Sequence, residues 1–234
     1  MSNEIPPLVV AVDGPAGSGK SSVCRGTAAR LSWHYLDTGA MYRAMTWAVL
    51  EAGIDPNDAE AVAKFAKKPD IASGANPYQP TIEVDGTDVA EAIREDRITS
   101  AVSAVSAVPK VRQLLVQKQR DAAMMAMRSG TGIVVEGRDI TTVVLPHAHL
   151  KIFLTADPEV RAQRRALEQA DGGVVAAEAV QATEAALAKR DQLDSSRTTS
   201  PLTKAEDAIE LDTSNLTLDQ VIAKVVGYAK AVAK

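Results

Sequence analysis

Two kinds of apolar pattern alternate along the 234-residue chain. Leu8 to Val12 is a short, wholly apolar run ending at Asp13-Gly14, as expected of a strand buried on both faces of a parallel sheet. Gly132 to Glu136 and Leu150 to Thr155 repeat the pattern, and Ile209 to Leu211 is a weaker fourth run. Between these runs the apolar positions fall at helical spacing. Val23, Ala28 and Leu31 line one face after Ser21, and Met41 to Glu51 follows, stopped by Gly53 and Asp55-Pro56. A longer helical stretch from about Thr99 to Arg128 is expected to break or kink at Pro109. Helical patterns also cover about 158–170, 176–193 and 217–232. Strands alternating with helices predict a three-layer α/β fold around a parallel central sheet. Residues 68–94 break the rhythm: short alternating pieces, Thr81-Ile82-Glu83-Val84 and an Asp85-Gly86 turn predict a small β-containing insert.

Composition narrows the classes without naming a function. Hydrophobic residues are 46% of the chain and aromatics only 3%, so the core must be mostly Ala, Val, Leu and Ile. Lys and Arg total 26 against 30 Asp and Glu, a net charge of −4 with no basic excess to hold a phosphate backbone. Nucleic acid is therefore not an expected partner. The lone Cys24 allows no internal disulfide, the acidic start MSNEIPP lacks a signal-peptide pattern, and no apolar run approaches a membrane span. A cytoplasmic monomer without a membrane partner is expected.

The strongest motif is Gly14-Pro15-Ala16-Gly17-Ser18-Gly19-Lys20-Ser21, a full match to G-x-x-x-x-G-K-[ST], continued by Ser22. Chance would place one in a chain this long on the order of once in a hundred. A strand precedes it and an amphipathic helix follows, the context in which backbone N–H groups cradle phosphates. Lys20 would reach the β- and γ-phosphates of a nucleoside triphosphate, and the Ser21 hydroxyl would hold Mg²⁺. A triphosphate site leaves two classes open, a phosphotransferase or a nucleotide-controlled switch. The N-K-x-D and D-x-x-G patterns of guanine-nucleotide switches do not occur, nor does an apolar strand ending in Asp-Glu.

Three further segments suit a second, anionic substrate. Asp37-Thr38-Gly39-Ala40-Met41-Tyr42-Arg43 opens a helix, with Thr38 placed to cap it. Glu136-Gly137-Arg138-Asp139 leaves a strand at its carboxyl end, where open α/β sheets bind ligands. Arg190, Asp194 and Arg197 are spaced to share one side of a helical end. Taken singly, each also reads as an ordinary cap, a structural ion pair or a solvated charged face.

Together these segments resemble the bacterial cytidylate kinases, P-loop nucleoside monophosphate kinases, over nearly the whole chain. The resemblance rests on VDGPAGSGKSS at 12–22, LDTGAMYRA at 36–44, Pro109-Lys110-Val111-Arg112, EGRD at 136–139, KIFLTADPEVRAQRR at 151–165 and the set ending at Arg197. It implies one kinase domain over 1–234, with a monophosphate-binding insert at about 68–94 and an arginine-rich lid at about 158–190. It also implies that CMP and dCMP are phosphorylated by ATP with Mg²⁺. Thr38, Arg43 and Arg138 would hold the acceptor phosphate with help from Arg197, within a wall that includes Asp37, Tyr42, Glu136 and Gly137. Arg190 and Asp194 would reach the ribose and its phosphate, while Ser103, Arg112 and Asp139 would read the base. Lys20, Arg138, Arg161, Arg190 and Arg197 would form the catalytic set, Arg161, Arg164 and Arg165 being lid residues and Asp171-Gly172-Gly173 the lid tip. The rival acceptors are UMP and dTMP; the rival class is a nucleotide-binding regulatory protein.

The chain departs from the family pattern at Glu136 for Asp, Thr141 for Gly, Leu145 for an aromatic residue and His147 for Asp. Thr141 either alters the loop geometry or has no visible effect. Cys24, Trp33 and Trp47 read as packing, and Met124, Met125 and Met127 as core and helix filler. His34, His147 and His149 lack metal-ligand spacing.

Overall fold

The computed structural model describes residues 5–170, 175–197 and 200–234. The chain opens with β1 (Val9–Asp13), α1 (Lys20–Leu31), β2 (His34–Asp37) and α2 (Thr38–Glu51). α3 (Ala59–Phe65) leads into three short strands, β3 (Ile71–Ser73), β4 (Ile82–Val84) and β5 (Thr87–Asp88). Two helices follow, α4 (Asp96–Ala107) and α5 (Pro109–Arg128), then β6 (Ile133–Glu136) and β7 (Leu150–Thr155). The remainder holds α6 (Pro158–Gln169), α7 (Ala177–Ser195), β8 (Ile209–Asp212) and α8 (Leu218–Val232).

The central sheet is parallel, in the order β2-β6-β1-β7-β8. The four strands expected from apolar runs are all in it. β2 is an addition: only four residues long, His-Tyr-Leu-Asp, it pairs with β6 alone at the sheet edge and offers no apolar run to detect. Alternation along β1 sends Val9 and Ala11 to one face and Val10 and Val12 to the other. The first pair packs with Met41, Met45, Val105, Val111 and Leu115 from α2, α4 and α5. The second packs with Val23, Ala28, Val221 and Val225 from α1 and α8. Helices on both faces of the sheet make the three layers, each large buried side chain contributing roughly 1.5–3 kcal/mol.

Pro109 separates two helices rather than bending one. Val108 is extended (φ −68°, ψ 119°), as the residue before proline prefers, and Pro109 opens α5 where a missing N–H costs nothing. The cap of α2 also differs from expectation. Asp37, not Thr38, takes that place and accepts from the Ala40 N–H at 2.9 Å, because the Thr38 hydroxyl is spent on the Glu136 carbonyl at 2.7 Å. β3, β4 and β5 form a small antiparallel sheet. Its β4–β5 turn puts Asp85 and Gly86 at φ 51° and 77°, the double positive φ that a two-residue hairpin needs. Met125 is 67% exposed and Met124 44%, so these two are not core: both lie off the buried face of α5. Among the described residues no helix is long and apolar enough to cross a membrane. Asp171-Gly172-Gly173, expected at a lid tip, lies outside the described residues.

Candidate active site

The carboxyl ends of β1, β2 and β6 deliver Asp13, Asp37 and Glu136 to one rim of the sheet. From β1 the chain turns at once into the glycine-rich loop. A Cβ on Gly14 would sit 2.1 Å from the Leu154 carbonyl oxygen, so the strand can leave β7 this closely only through glycine. Gly17, at φ 75°, is closed in the same way by the Arg161 carbonyl oxygen at 2.9 Å. Lys20 opens α1, and its buried ammonium donates to the Gly14 and Pro15 carbonyls, both at 2.7 Å. Burial, and then the Arg138 charge, lower its pKa from the ordinary lysine range. An ammonium so placed gains from an incoming anion.

The Glu136 carboxylate faces this loop. Tyr35 donates its hydroxyl to Oε1, and the Ser21 hydroxyl donates to Oε2 at 3.1 Å. Burial, and then the Asp37 charge, raise the Glu136 pKa, while burial holds the Tyr35 phenol far above its ordinary value and so always a donor. The Ser21 hydroxyl and the Glu136 carboxylate are hard oxygen donors of the kind magnesium takes.

Arginines line the rest of the wall. Arg112, on α5, is buried in an ion pair with Asp139, and its guanidinium stands 5.6 Å from the centre of the Tyr42 ring. Asp194 pairs with Arg197 at 2.6 Å and accepts from Arg138 Nε at 3.0 Å, one carboxylate serving two cations. Arg138 also donates to the Gly14 carbonyl at 2.9 Å, and Arg43 pairs with Asp37 at 3.2 Å. Arg190 differs. It has no carboxylate within ion-pair distance among the described residues, while its Nε, like those of Arg43 and Arg161, is buried without a partner; burial, then the neighbouring Arg138 charge, lower its pKa to about 10.

One cleft of about 1050 Å³ gathers these groups. It is lined by Ala16 to Ser22, Asp37, Thr38, Tyr42, Arg43, Ser103, Arg112, Glu136 to Asp139, Arg190, Asp194 and Arg197. Of the residues predicted for the site, Gly14, Pro15 and Arg161 are outside this lining. Arg161 donates to the Ala16 carbonyl at 3.1 Å and pairs with Asp191, whose carboxylate also accepts from the Ala16 N–H at 3.2 Å. This knot docks α6 and α7 on the phosphate loop. Arg164 is engaged by Thr213, at 2.9 Å to its hydroxyl and 2.7 Å to its carbonyl, and Arg165 by Glu168 at 2.7 Å. Sequence reasoning missed Tyr35, Asp191 and Ser106, which accepts from Arg197 at 3.1 Å. Asp191 sits beside Arg190 in the motif, a signal that was available. Nothing in the sequence ties Tyr35 to Glu136, 101 positions away.

A phosphate loop sharing one cleft with an arginine-lined acceptor wall, at the carboxyl ends of a parallel sheet, defines a P-loop phosphotransferase. The family model described as cytidylate kinase matches residues 10–231. The cytidylate kinase of Streptomyces avermitilis is 57% identical over 224 residues, covering 95% of this chain and 92% of that protein. That of Nocardia farcinica is 53% identical over 220 residues, covering 94% and 92%. The chain belongs to the cytidylate kinase family. A solved structure of an uncharacterized protein from Eubacterium ventriosum shares the fold alone, at 13% identity and a TM-score of 0.50 over 96% of this chain and 98% of that one.

Proposed function

We propose that this cleft transfers the γ-phosphoryl group of ATP to CMP or dCMP, giving ADP and CDP or dCDP. The observation that carries the choice of acceptor is the buried Arg112–Asp139 pair at the cleft wall, with Tyr42 beside it and Ser103 lining the same cleft. Cytosine presents an exocyclic amine, for which the Asp139 carboxylate is an acceptor, and ring acceptors N3 and O2, for which Arg112 is a donor. Uracil inverts the exocyclic group and N3, setting a carboxylate against a carbonyl oxygen. Unpaired polar groups in a closed site cost several kcal/mol, enough to separate the two bases.

The transfer itself demands positioning and charge neutralisation more than covalent help. Arg43 and Arg138, with Arg197 and the α2 N-terminus that Thr38 opens, hold the acceptor phosphate, whose oxygen attacks the γ-phosphorus as the bond to the ADP oxygen breaks. A phosphate monoester is already largely ionised near neutral pH, so no strong general base is needed. Lys20 and the loop amides hold the donor, and Arg190 meets the charge that spreads over the transferring group. Ser21 and Glu136 would hold magnesium, which when bound withdraws charge from the donor phosphate oxygens. Residues 68–94 and 158–190 serve in this reading as the acceptor insert and the lid.

A coupled assay for ADP release tests the reading with CMP, dCMP, UMP, AMP and dTMP at matched concentrations. Strong preference for CMP and dCMP is expected. Equal use of UMP would break the base-reading role of Ser103, Arg112 and Asp139. Silence with every acceptor, despite ATP binding, would overturn the transfer.

A further inference from the structure

Asp13 is the last residue of β1, and its carboxylate is fully buried. A carboxylate out of water is costly unless donors surround it. Among the described residues its donors all come from one turn: the Ile140 N–H at 2.9 Å, the Thr141 N–H at 2.7 Å and the Thr141 hydroxyl at 2.6 Å. Thr141 is itself buried, so this hydroxyl is not shared with solvent. The neighbouring backbone is stitched the same way. The Gly137 N–H donates to the Val12 carbonyl at 3.0 Å, and the Asp139 carbonyl accepts from Val143 and Val144 at 2.9 and 3.1 Å. Asp13 precedes the phosphate loop directly, and Arg138-Asp139 precede Ile140 and Thr141 directly. One side chain therefore joins the backbone of the donor loop to the backbone that presents the phosphate-binding arginine and the base-reading carboxylate.

We infer that Asp13 and Thr141 are positioning residues for the transfer, the carboxylate fixing the Arg138-Asp139 loop against the phosphate loop and the Thr141 hydroxyl completing its donor set. The inference rests on the assignment of Arg138 and Asp139 to the acceptor. Burial pushes the Asp13 carboxyl up and the Thr141 hydroxyl is first among the groups pulling it back, in keeping with this division of labour. With the hydroxyl gone, two backbone donors remain, so the turn keeps its place in the fold but loses the contact that holds it tightest. The loss falls on the acceptor side, because the phosphate loop keeps its own glycine packing against Leu154 and Arg161.

The test compares wild type, Thr141→Ala and Thr141→Ser in the ADP-release assay, varying CMP at saturating ATP and then the reverse. Hydrogen exchange at the Ile140 and Thr141 amides is followed in parallel. Thr141→Ala is expected to raise KM for CMP roughly tenfold, the scale of one lost hydrogen bond to a charged group. Its KM for ATP should stay within about twofold, its Ile140 and Thr141 amides should exchange faster, and Thr141→Ser should restore both readouts. An unchanged KM for CMP would overturn the inference. So would a parallel rise in both KM values, or a serine variant that behaves like alanine. A wild-type protein that binds ATP but ignores CMP would defeat the acceptor reading instead. The clamp would then stand or fall on exchange alone: protection at Ile140 and Thr141 unaltered in Thr141→Ala sinks it.

Discussion

Arg112 and Arg190 line the same cleft, and they differ in what neutralises them. Arg112 is buried in a one-to-one pair with Asp139. Arg190 has no carboxylate within ion-pair distance among the described residues, and it lies close enough to Arg138 for that charge to lower its pKa. Between these extremes, Arg138 and Arg197 share Asp194. Uncompensated positive charge thus grows from the wall that would face a neutral base to the wall that would face phosphates. Arg43 is the exception, placed at the acceptor phosphate yet paired with Asp37 at 3.2 Å, so the contrast holds between Arg112 and Arg190 and not over every arginine of the cleft.

The sharpest way to break this comparison is to remove the uncompensated charge. Arg190→Met should lower kcat by about 10²–10³-fold, the usual loss for one preorganised charge at a transferring group. The same substitution should leave the melting temperature of the ligand-free protein equal or higher. The sign follows from linkage. A cation whose folded pKa is depressed contributes stability only above its unfolded pKa and loses it as pH falls through the folded value of about 10, so near neutral pH the charge disfavours the fold. A variant that loses stability along with turnover would make Arg190 a structural cation and end the comparison.

Asp139→Asn attacks the compensated end. Its amide keeps an acceptor but gains a donor, so the preference for CMP over UMP should shrink by roughly 10–100-fold in kcat/KM. Arg112 loses its counterion in a buried place, and stability should fall by about 2 kcal/mol, read as a shift in denaturant midpoint. A discrimination ratio that does not move would take Asp139 out of base reading, whatever happens to stability.

Such pairings mark where sequence reading stopped. The phosphate loop was legible because its chemistry is local: eight consecutive residues between a strand and a helix. Arg112, Asp139, Arg190 and Asp194 were each legible as candidates through their motifs. Their partners were not, because Arg112 and Asp139 are 27 positions apart, Arg161 and Asp191 30, and Asp13 and Thr141 128. The sheet was legible where strands are wholly apolar and lost at β2, whose edge position lets His34 and Asp37 stand at its ends. Thr38 as the cap of α2 failed for a related reason. A hydroxyl one residue from a better cap is free to bond across the sheet, and only the packed structure shows that Glu136 is there.

A smaller effect should appear in binding rather than turnover. The Lys20 ammonium is held below its ordinary pKa, and Glu136 is held above its own. An incoming triphosphate, offered without divalent metal, brings negative charge that raises both values. Binding near pH 8, where the free triphosphate is already almost fully ionised and has few protons of its own to release, should therefore take up a fraction of a proton, detected by calorimetry in buffers of different ionisation enthalpy. Lys20→Met should reduce that uptake. Proton release on metal-free binding would mean that the phosphates do not approach these two groups.

The smallest effect is expected at Arg164, which lines the cleft yet belongs to neither class of arginine. Its hydrogen-bond partners are neutral, the Thr213 hydroxyl and carbonyl, and no carboxylate lies within ion-pair distance among the described residues, so it resembles Arg190 on that count alone. The difference is satisfaction of its donors: Arg164 spends them on Thr213, just beyond the end of β8, whereas Arg190 Nε is buried with nothing to receive it. An arginine held this way staples α6 to the sheet and is a poor candidate to follow a transferring phosphate. Arg164→Gln should keep kcat within about threefold and cost about 1 kcal/mol of stability, the value of a hydrogen bond lost without its partner being left dry. A loss of kcat comparable to that of Arg190→Met would show that charge alone, rather than charge with unspent donors, selects the arginines that act on the phosphoryl group.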